Sequence, residues 1–184
     1  PVPVLCMVAI MSRAKGTDLF LEMCNRLRQQ KVQFKAWMVG EWLRDSERDE
    51  ALDFLRRHDL DAQVELRGRQ TDMAAIYAGT DILVLPTRRD SFPRVVMEAM
   101  AHGLPVVATR IDGLPEMVEE GRTGFLTAPD DVAGYVAAVT RLLADAPLRQ
   151  NMGAAGRTRA EQLFSPETYE RAMLELYQAV EGGA

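Results

Sequence analysis

Six short apolar runs, separated by segments with helical periodicity, constrain the fold of this chain more than any other feature. The first run, Val4–Met11, is continuously apolar, which is the pattern of a strand buried on both faces of a sheet. Runs of four to eight residues have the length of strands. The predicted strands are Val4–Met11, Phe34–Val39, Gln63–Arg67, Asp81–Pro86, Pro105–Thr109 and Gly124–Thr127.

Helices are predicted between these strands and after the last one. The first has an apolar stripe at helical spacing, formed by Leu19, Phe20, Met23, Cys24 and Leu27. The segments 45–58, 72–78, 93–102 and 114–120 follow, and three further helices end the chain. Strands that alternate with helices favour a parallel sheet covered on both faces. We therefore predict an α/β fold: a Rossmann-like doubly wound parallel sheet of about six strands with extra C-terminal helices.

Composition narrows the classes of protein to which the chain can belong. Its 184 residues suffice for one domain, 1–184, and its net charge of −5 argues against a broad nucleic-acid surface. Cys6 and Cys24 lie in apolar patterns, as reduced core cysteines do, and no apolar run approaches a membrane span of about 20 residues. Without a signal peptide, the protein is expected to be cytoplasmic. Because the chain begins on Pro1 and enters a strand at once, we expect it to be a fragment of a longer protein.

The stretch from Asp90 to Val107 is the candidate ligand site. Ligands of parallel sheets bind beyond the carboxyl ends of the strands, and Asp90 lies in the loop at such an end. If the next helix begins near Pro93, Glu98 falls within it, eight positions after Asp90. Two carboxylates and the free amides of the first helical turn then face one ligand. This arrangement suits a molecule with hydroxyl groups at one end and a phosphate nearby.

Other ligand chemistries have weaker support in the sequence. Arg13 and Lys15 follow the first strand, where cations can bind a diphosphate, although a loop Lys is often merely solvated. The glycine patterns of a phosphate loop and of a dinucleotide fingerprint are missing, which disfavours classical triphosphate and NAD binding. His58 and His102 have no ligand-forming neighbours at metal-site spacing. We expect no metal ion and no cofactor.

Four segments together resemble the retaining nucleotide-sugar glycosyltransferases of the GT-B fold. They are Asp81 to Thr87, Asp90 to Glu98, Ala99 to Thr109 and Asp112 to Glu116. More narrowly, they are similar to the glycosyltransferase group 1 (family 4) type, which is related to glycogen and sucrose synthases. The resemblance covers essentially the whole chain and implies the C-terminal, donor-binding domain of a two-domain enzyme, whose N-terminal acceptor domain is absent here. It implies metal-independent retaining transfer in polysaccharide biosynthesis, in the cytoplasm or peripherally at the inner face of the membrane through the missing domain.

The resemblance also implies a role for individual residues. Lys15 and a nearby Arg hold the donor diphosphate, Glu98 bonds the nucleotide ribose, and Asp90 contacts the transferred sugar near its anomeric carbon. Gly40 belongs to the donor site, and Arg69 lies near the base. The backbone around the start of the helix meets the sugar and the phosphate; this segment consists of Ser91, Phe92, Pro93, Arg94 and Val95.

Two departures from the family pattern concern these residues. The family usually has Glu where this chain has Asp90, which is one methylene shorter. Its usual Arg, five residues before the Lys, falls on Ile10, and Arg13 is the candidate replacement. Two other functions remain open at this point, a GT-B-related nucleotide-sugar epimerase domain and a non-catalytic α/β interaction module. The base, the sugar, the acceptor and the oligomeric state are not predicted.

Overall fold

A single parallel sheet forms the centre of the protein. The computed structural model describes residues 2–181, and its six strands lie in the order β3-β2-β1-β4-β5-β6, with every neighbouring pair parallel. The predicted α/β sheet is confirmed. The strands are β1 (Val4–Val8), β2 (Lys35–Val39), β3 (Val64–Gly68), β4 (Ile82–Leu85), β5 (Val106–Thr109) and β6 (Gly124–Thr127).

Helices cover both faces of this sheet. One core cluster packs α1, α2 and α6 against one face, and a second packs α3, α4, α5 and the end of α7 against the other. Strand β1 shows why the apolar runs are continuous: Leu5 and Met7 point into the first cluster, and Cys6 and Val8 into the second. The helices are α1 (Thr17–Gln29), α2 (Asp45–Arg57), α3 (Met73–Ala78), α4 (Arg94–Ala101), α5 (Leu114–Met117), α6 (Val132–Ala144), α7 (Ala146–Leu163) and α8 (Pro166–Glu181).

Two predicted elements extend three residues beyond the observed C-terminal ends. Strand β1 ends at Val8 instead of Met11, because its pairing with β4 stops at Cys6 and the chain then bends so that Ile10 is 63% exposed. Helix α5 ends at Met117 instead of residue 120, because Val118 takes an extended conformation and the chain turns into β6.

The ends of α4 match the prediction. Pro93 precedes the first helical residue, and Gly103 follows the helix with a φ of 74°, in the left-handed region that glycine adopts at low cost. This helix therefore begins at the carboxyl edge of the sheet, directly after the loop that carries Asp90.

Two further observations concern the chain as a whole. Both cysteines are buried and free. Within residues 2–181, no helix combines the length and the apolar character needed to cross a bilayer.

Candidate donor-binding site

The order of the strands creates a crevice between the carboxyl ends of β1 and β4. These strands are neighbours, but the helices that follow them, α1 and α4, lie on opposite faces of the sheet. A crevice at such a point is where ligands of doubly wound sheets bind. The two loops approach so closely that a Cβ on Gly16, whose φ is 77°, would collide with the carbonyl oxygen of Pro86. Glycine is therefore required where the loop of Lys15 meets the end of β4.

Lys15 and Asp90 meet across this crevice. Lys15, in a 3-10 turn after β1, donates from Nζ to Asp90 Oδ2 at 2.6 Å and to the carbonyl oxygen of Arg89 at 3.2 Å. The side chains of Lys15 and Asp90 are 29% and 20% exposed, so the pair is accessible from the crevice. The structure thus places Lys15, which is predicted to hold the diphosphate, beside Asp90, which is predicted to contact the sugar, although 75 positions separate them in the sequence.

The loop of Asp90 is also held from the side of β5. The backbone N–H of Asp90 donates to Asp112 Oδ2 at 3.3 Å, and the N–H of Gly113 donates to the carbonyl oxygen of Ser91 at 3.1 Å. A Cβ on Gly113 would collide with that same oxygen. Asp112 takes a positive φ of 46°, a conformation that Asp tolerates better than most residues. The β5–α5 loop therefore fixes the backbone on which Asp90 sits.

The N-terminus of α4 faces the same edge of the sheet. Pro93 is its N-cap residue, and no side chain among the described residues caps the helix there. The first amides of a helix have no intrahelical acceptor and lie at the positive end of its dipole. The amides of Arg94 and Val95 belong to this first turn. Phe92, just before the cap, packs edge-on against Phe164 at a centroid distance of 5.6 Å.

Glu98 lies one turn further along α4. Its Oε2 accepts a hydrogen bond of 2.8 Å from the hydroxyl of Tyr77, and its Oε1 lies 3.5 Å from Nη2 of Arg94. The Glu98 side chain is 37% exposed and lines a cleft together with Arg94 and Phe164. Burial, and then the contact with Glu98, raise the pKa of Tyr77 far above its usual range, so the phenol stays protonated and donates.

A cleft of about 390 Å³ opens beyond the ends of β1, β2 and β3. Gly40, Arg69, Val95 and Ile10 line it together. Arg69, which is predicted to lie near the base, and Gly40 of the predicted donor site thus lie close to the start of α4. Gly40 has a φ of 141°, and a Cβ there would collide with the carbonyl oxygen of Ala9. The Arg69 guanidinium is exposed, 3.9 Å from Glu41.

Arg13 lies apart from this arrangement. Its side chain is 75% exposed, and its Nε lies 3.5 Å from Asp18 Oδ2. It lines a different cleft, between α1 and α2, together with Glu47. The structure thus pairs Lys15 with Asp90 and lines one cleft with Gly40, Arg69 and Val95. Arg94 and Glu98 line a separate cleft with Phe164, and Arg13 lies beside α1. Its role as a replacement for the family Arg stays a prediction.

Arg88 is a site residue that the sequence reasoning missed. Its guanidinium bonds both carboxylate oxygens of Asp18, at 2.7 and 2.9 Å, the carboxylate of Asp130 at 2.7 Å, and the carbonyl oxygen of Arg13 at 2.5 Å. The hydrogen bonds to Asp18 contribute most to the raised pKa of Arg88. The adjacent arginines, Arg88-Arg89, at the end of a predicted strand were a signal that could have drawn attention to this position. Arg88 joins the loop that carries Lys15 to the loop that carries Asp90.

Metal-ligating side chains do not cluster in the described part of the chain. Within residues 2–181, no three His, Cys, Asp or Glu side chains are grouped so that they could hold a metal ion.

An all-parallel doubly wound sheet, with a crevice at the carboxyl ends of its strands, defines the Rossmann-like class of fold, and sequence comparison identifies the family. The chain belongs to the glycosyl transferases group 1, whose family model matches residues 2–145. The predicted resemblance to the GT-B glycosyltransferases is confirmed. Glycogen synthase of Mycobacterium tuberculosis is 32% identical over 171 residues, which are 92% of this chain and 41% of that protein.

Solved structures show the same fold. Anabaena HepE in complex with UDP and glucose has a TM-score of 0.88 at 24% identity, over 96% of this chain and 48% of that chain. The C-terminal domain of a group 1 glycosyl transferase from Francisella tularensis has a TM-score of 0.80 at 20% identity, over 90% of this chain and 89% of that one. The chain thus spans less than half the length of the glycogen synthase and of HepE.

Proposed function

We propose that this chain is the donor-binding half of a glycosyltransferase that takes a sugar from a nucleotide diphosphate sugar. The observation that carries the proposal is the Lys15–Asp90 pair, which joins a cation and a carboxylate at 2.6 Å in the crevice between β1 and β4. A donor of this class has a diphosphate bonded directly to a sugar, so it needs a cation and a hydroxyl-binding acceptor side by side. The pair supplies both.

The chemistry of transfer follows from these charges. Transfer breaks the bond between the anomeric carbon and the diphosphate oxygen and forms a bond from that carbon to an acceptor hydroxyl oxygen. Negative charge develops on the leaving diphosphate, which can take up the proton of the acceptor hydroxyl. Lys15 and the first amides of α4 stabilise that charge, as preorganised donors do in other transfer reactions. Because the protein supplies this stabilisation, we propose that the reaction needs no metal ion. Asp90 contacts the sugar, supports the positive charge at the anomeric carbon, and contributes to transfer with retention of configuration.

The nucleoside part of the donor has its own binding groups in the proposal. Glu98 accepts hydrogen bonds from the ribose hydroxyls, and the base occupies the cleft lined by Gly40, Arg69 and Val95. The HepE complex with UDP and glucose supports uridine nucleotides as the first ligands to test.

The other half of the active site belongs, in this proposal, to an N-terminal domain of the same protein that binds the acceptor. Two observations support it: the chain spans 41% of the related glycogen synthase, and it matches 89% of a domain solved by itself as a C-terminal domain. The 184-residue chain is then expected to bind donor nucleotide without transferring sugar.

A thermal-shift panel of UDP, GDP, ADP and their sugars, applied to this chain, tests the proposal. A ligand that binds only the folded state at 100 times its Kd stabilises it by about 2.7 kcal/mol, so one nucleotide series should raise Tm clearly. Glu98→Ala should remove most of this shift. Glu22→Ala is the matched control, because Glu22 pairs with Arg26 on the surface of α1 and should leave the shift unchanged.

Three results would each contradict a different part of the proposal. If no nucleotide or nucleotide sugar raises Tm, a non-catalytic interaction module is the better interpretation. If the full-length enzyme interconverts the donor sugar without transferring it, the chain belongs to an epimerase. If chelators abolish transfer by the full-length enzyme, the metal-independent mechanism is wrong.

A further inference from the structure

Tyr77 is a buried polar residue to which the proposed mechanism assigns no role. It lies on α3, and only 2% of its surface is exposed, yet its hydroxyl donates to Glu98 Oε2 at 2.8 Å. A buried tyrosine hydroxyl needs a hydrogen-bond partner, and a carboxylate is a strong one. The contact joins α3 to the residue of α4 that faces the ribose in the proposed function.

Tyr77 is held by a ring contact and by hydrogen bonds at both ends of α3. The ring of His102 lies 4.9 Å from that of Tyr77 between centroids, and its Nδ1 is 2.8 Å from the backbone oxygen of Glu98. Asp72 caps α3 by accepting from the N–H of Ala75 at 3.0 Å. At the other end of α3, the Thr80 hydroxyl donates to the carbonyl oxygen of Ile76 at 2.8 Å. Burial of Tyr77 on this helix and its bond to Glu98 therefore define the position of the phenol oxygen before any ligand arrives.

We propose that Tyr77 is a positioning residue that orients the Glu98 carboxylate for a pair of ribose hydroxyls. By occupying Oε2, Tyr77 stops the carboxylate from rotating freely, and it leaves Oε1, whose neighbour at 3.5 Å is the exposed Arg94 guanidinium, to accept from the ligand. A group oriented in advance loses less conformational entropy on binding, so the ribose hydroxyls are bound more tightly. The raised pKa of Tyr77 is consistent with this role, because the phenol keeps its proton at neutral and moderately alkaline pH. The inference rests on the proposed function of Glu98.

The test compares two probes in isothermal titration of the 184-residue chain: UDP and 2′,3′-dideoxy-UDP, or the corresponding pair for the base that the thermal-shift panel selects. Tyr77→Phe keeps the ring and removes the hydroxyl. We expect it to weaken UDP binding by a factor of about five to ten, the size of one net hydrogen bond. Binding of the dideoxy probe should change by less than about twofold, because it has no ribose hydroxyls for Glu98 to bind.

Tyr135→Phe is the matched control. Tyr135 is equally buried, and its hydroxyl also has hydrogen-bond partners, Thr109 Oγ1 at 2.8 Å and the carbonyl oxygen of Leu85 at 3.3 Å. It belongs to the core cluster on the opposite face of the sheet. Its loss should lower Tm and leave the ratio of the two affinities unchanged.

A double-mutant cycle separates a positioning role from a purely structural one. In the Glu98→Ala background, adding Tyr77→Phe should cause no further loss of UDP affinity, because the group that Tyr77 orients is already gone. If Tyr77→Phe weakens both probes equally, or acts with the same factor when Glu98 is missing, the inference is wrong and the proposed function stands. If the wild-type chain binds none of the nucleotide diphosphates, the proposed function itself fails.

Discussion

At the scale of single residues, the pair between Lys15 and Asp90 has a consequence for binding. In the free protein, Asp90 holds the cation that a diphosphate needs, so the carboxylate and the ligand compete for Lys15. We expect Asp90→Asn to strengthen binding of a nucleoside diphosphate by about threefold to tenfold, which corresponds to about 0.6–1.4 kcal/mol for a partly exposed pair. Titration calorimetry with UDP, or with the nucleotide that the panel selects, measures this change.

The same substitution should have the opposite effect on transfer. Because Asp90 is proposed to support charge that develops at the sugar, Asp90→Asn in the full-length enzyme should lower kcat by about a hundredfold or more. Asp53→Asn is the control, since Asp53 pairs with Arg57 on the exposed face of α2. Weaker diphosphate binding by Asp90→Asn would show that Asp90 holds Lys15 in place instead of competing for it.

The residues of the site differ in how far the sequence could predict them. Asp90, Glu98 and Lys15 were predicted because each occupies a fixed position relative to a strand end or a helix start. Tyr77 and Asp112 were not, since their roles depend on contacts with residues 21 and 22 positions away on neighbouring elements. Such contacts depend on side-chain direction and loop geometry, which neither periodicity nor spacing determines.

At the scale of elements, Arg88 joins three segments of the chain. It bonds Asp18 at the start of α1, Asp130 before α6, and the carbonyl oxygen of Arg13 in the turn that carries Lys15. A lysine cannot reproduce this planar set of donors. We expect Arg88→Lys to lower the free energy of unfolding by about 1–3 kcal/mol, because it breaks several charge-assisted hydrogen bonds at once. Urea unfolding monitored by circular dichroism measures the loss.

Arg110→Lys provides the comparison for this prediction. Arg110 pairs with one carboxylate, Glu120, at 2.8 Å, and its side chain is half exposed. Its replacement should cost less than about 1 kcal/mol, as for other surface ion pairs. Equal losses for Arg88→Lys and Arg110→Lys would mean that the segments joined by Arg88 are held together by other contacts.

The elements themselves were the most predictable part of the structure. The strands and their parallel arrangement follow from apolar runs that must be buried on both faces. The ends of the strands and helices were less predictable where the local backbone conformation departs from the hydrophobic pattern of the sequence. At Ile10, an apolar residue lies outside the strand and is 63% exposed, because the chain bends after β1 and Ile10 lines the cleft beyond the strand ends. At Val118, a strand-forming residue ends α5 early by taking extended dihedral angles.

At the scale of the whole molecule, reaction of the two cysteines can show when each of the two core clusters becomes exposed. Cys24 lies in the cluster on one face of the sheet and Cys6 in the cluster on the other, and both are fully buried. Burial raises the pKa of the Cys6 thiol to about 12 and that of Cys24 still further above its usual range. Because the thiolate is the reactive form, neither thiol should react with a disulfide reagent at pH 8 while it remains buried.

Labelling should therefore depend on opening of the whole sheet. Strand β1 packs against both clusters, so we expect the two faces to unfold together. We expect Cys6 and Cys24 to be labelled at the same slow rate. Mass spectrometry of the digested protein measures the labelling rate of each cysteine. A nucleotide at 100 times its Kd should slow both rates by about a hundredfold, since it lowers the population of the open state by that factor. Glu98→Ala should abolish this protection. If Cys24 reacts faster than Cys6, α1 opens by itself, and the two faces of the sheet do not unfold as one unit.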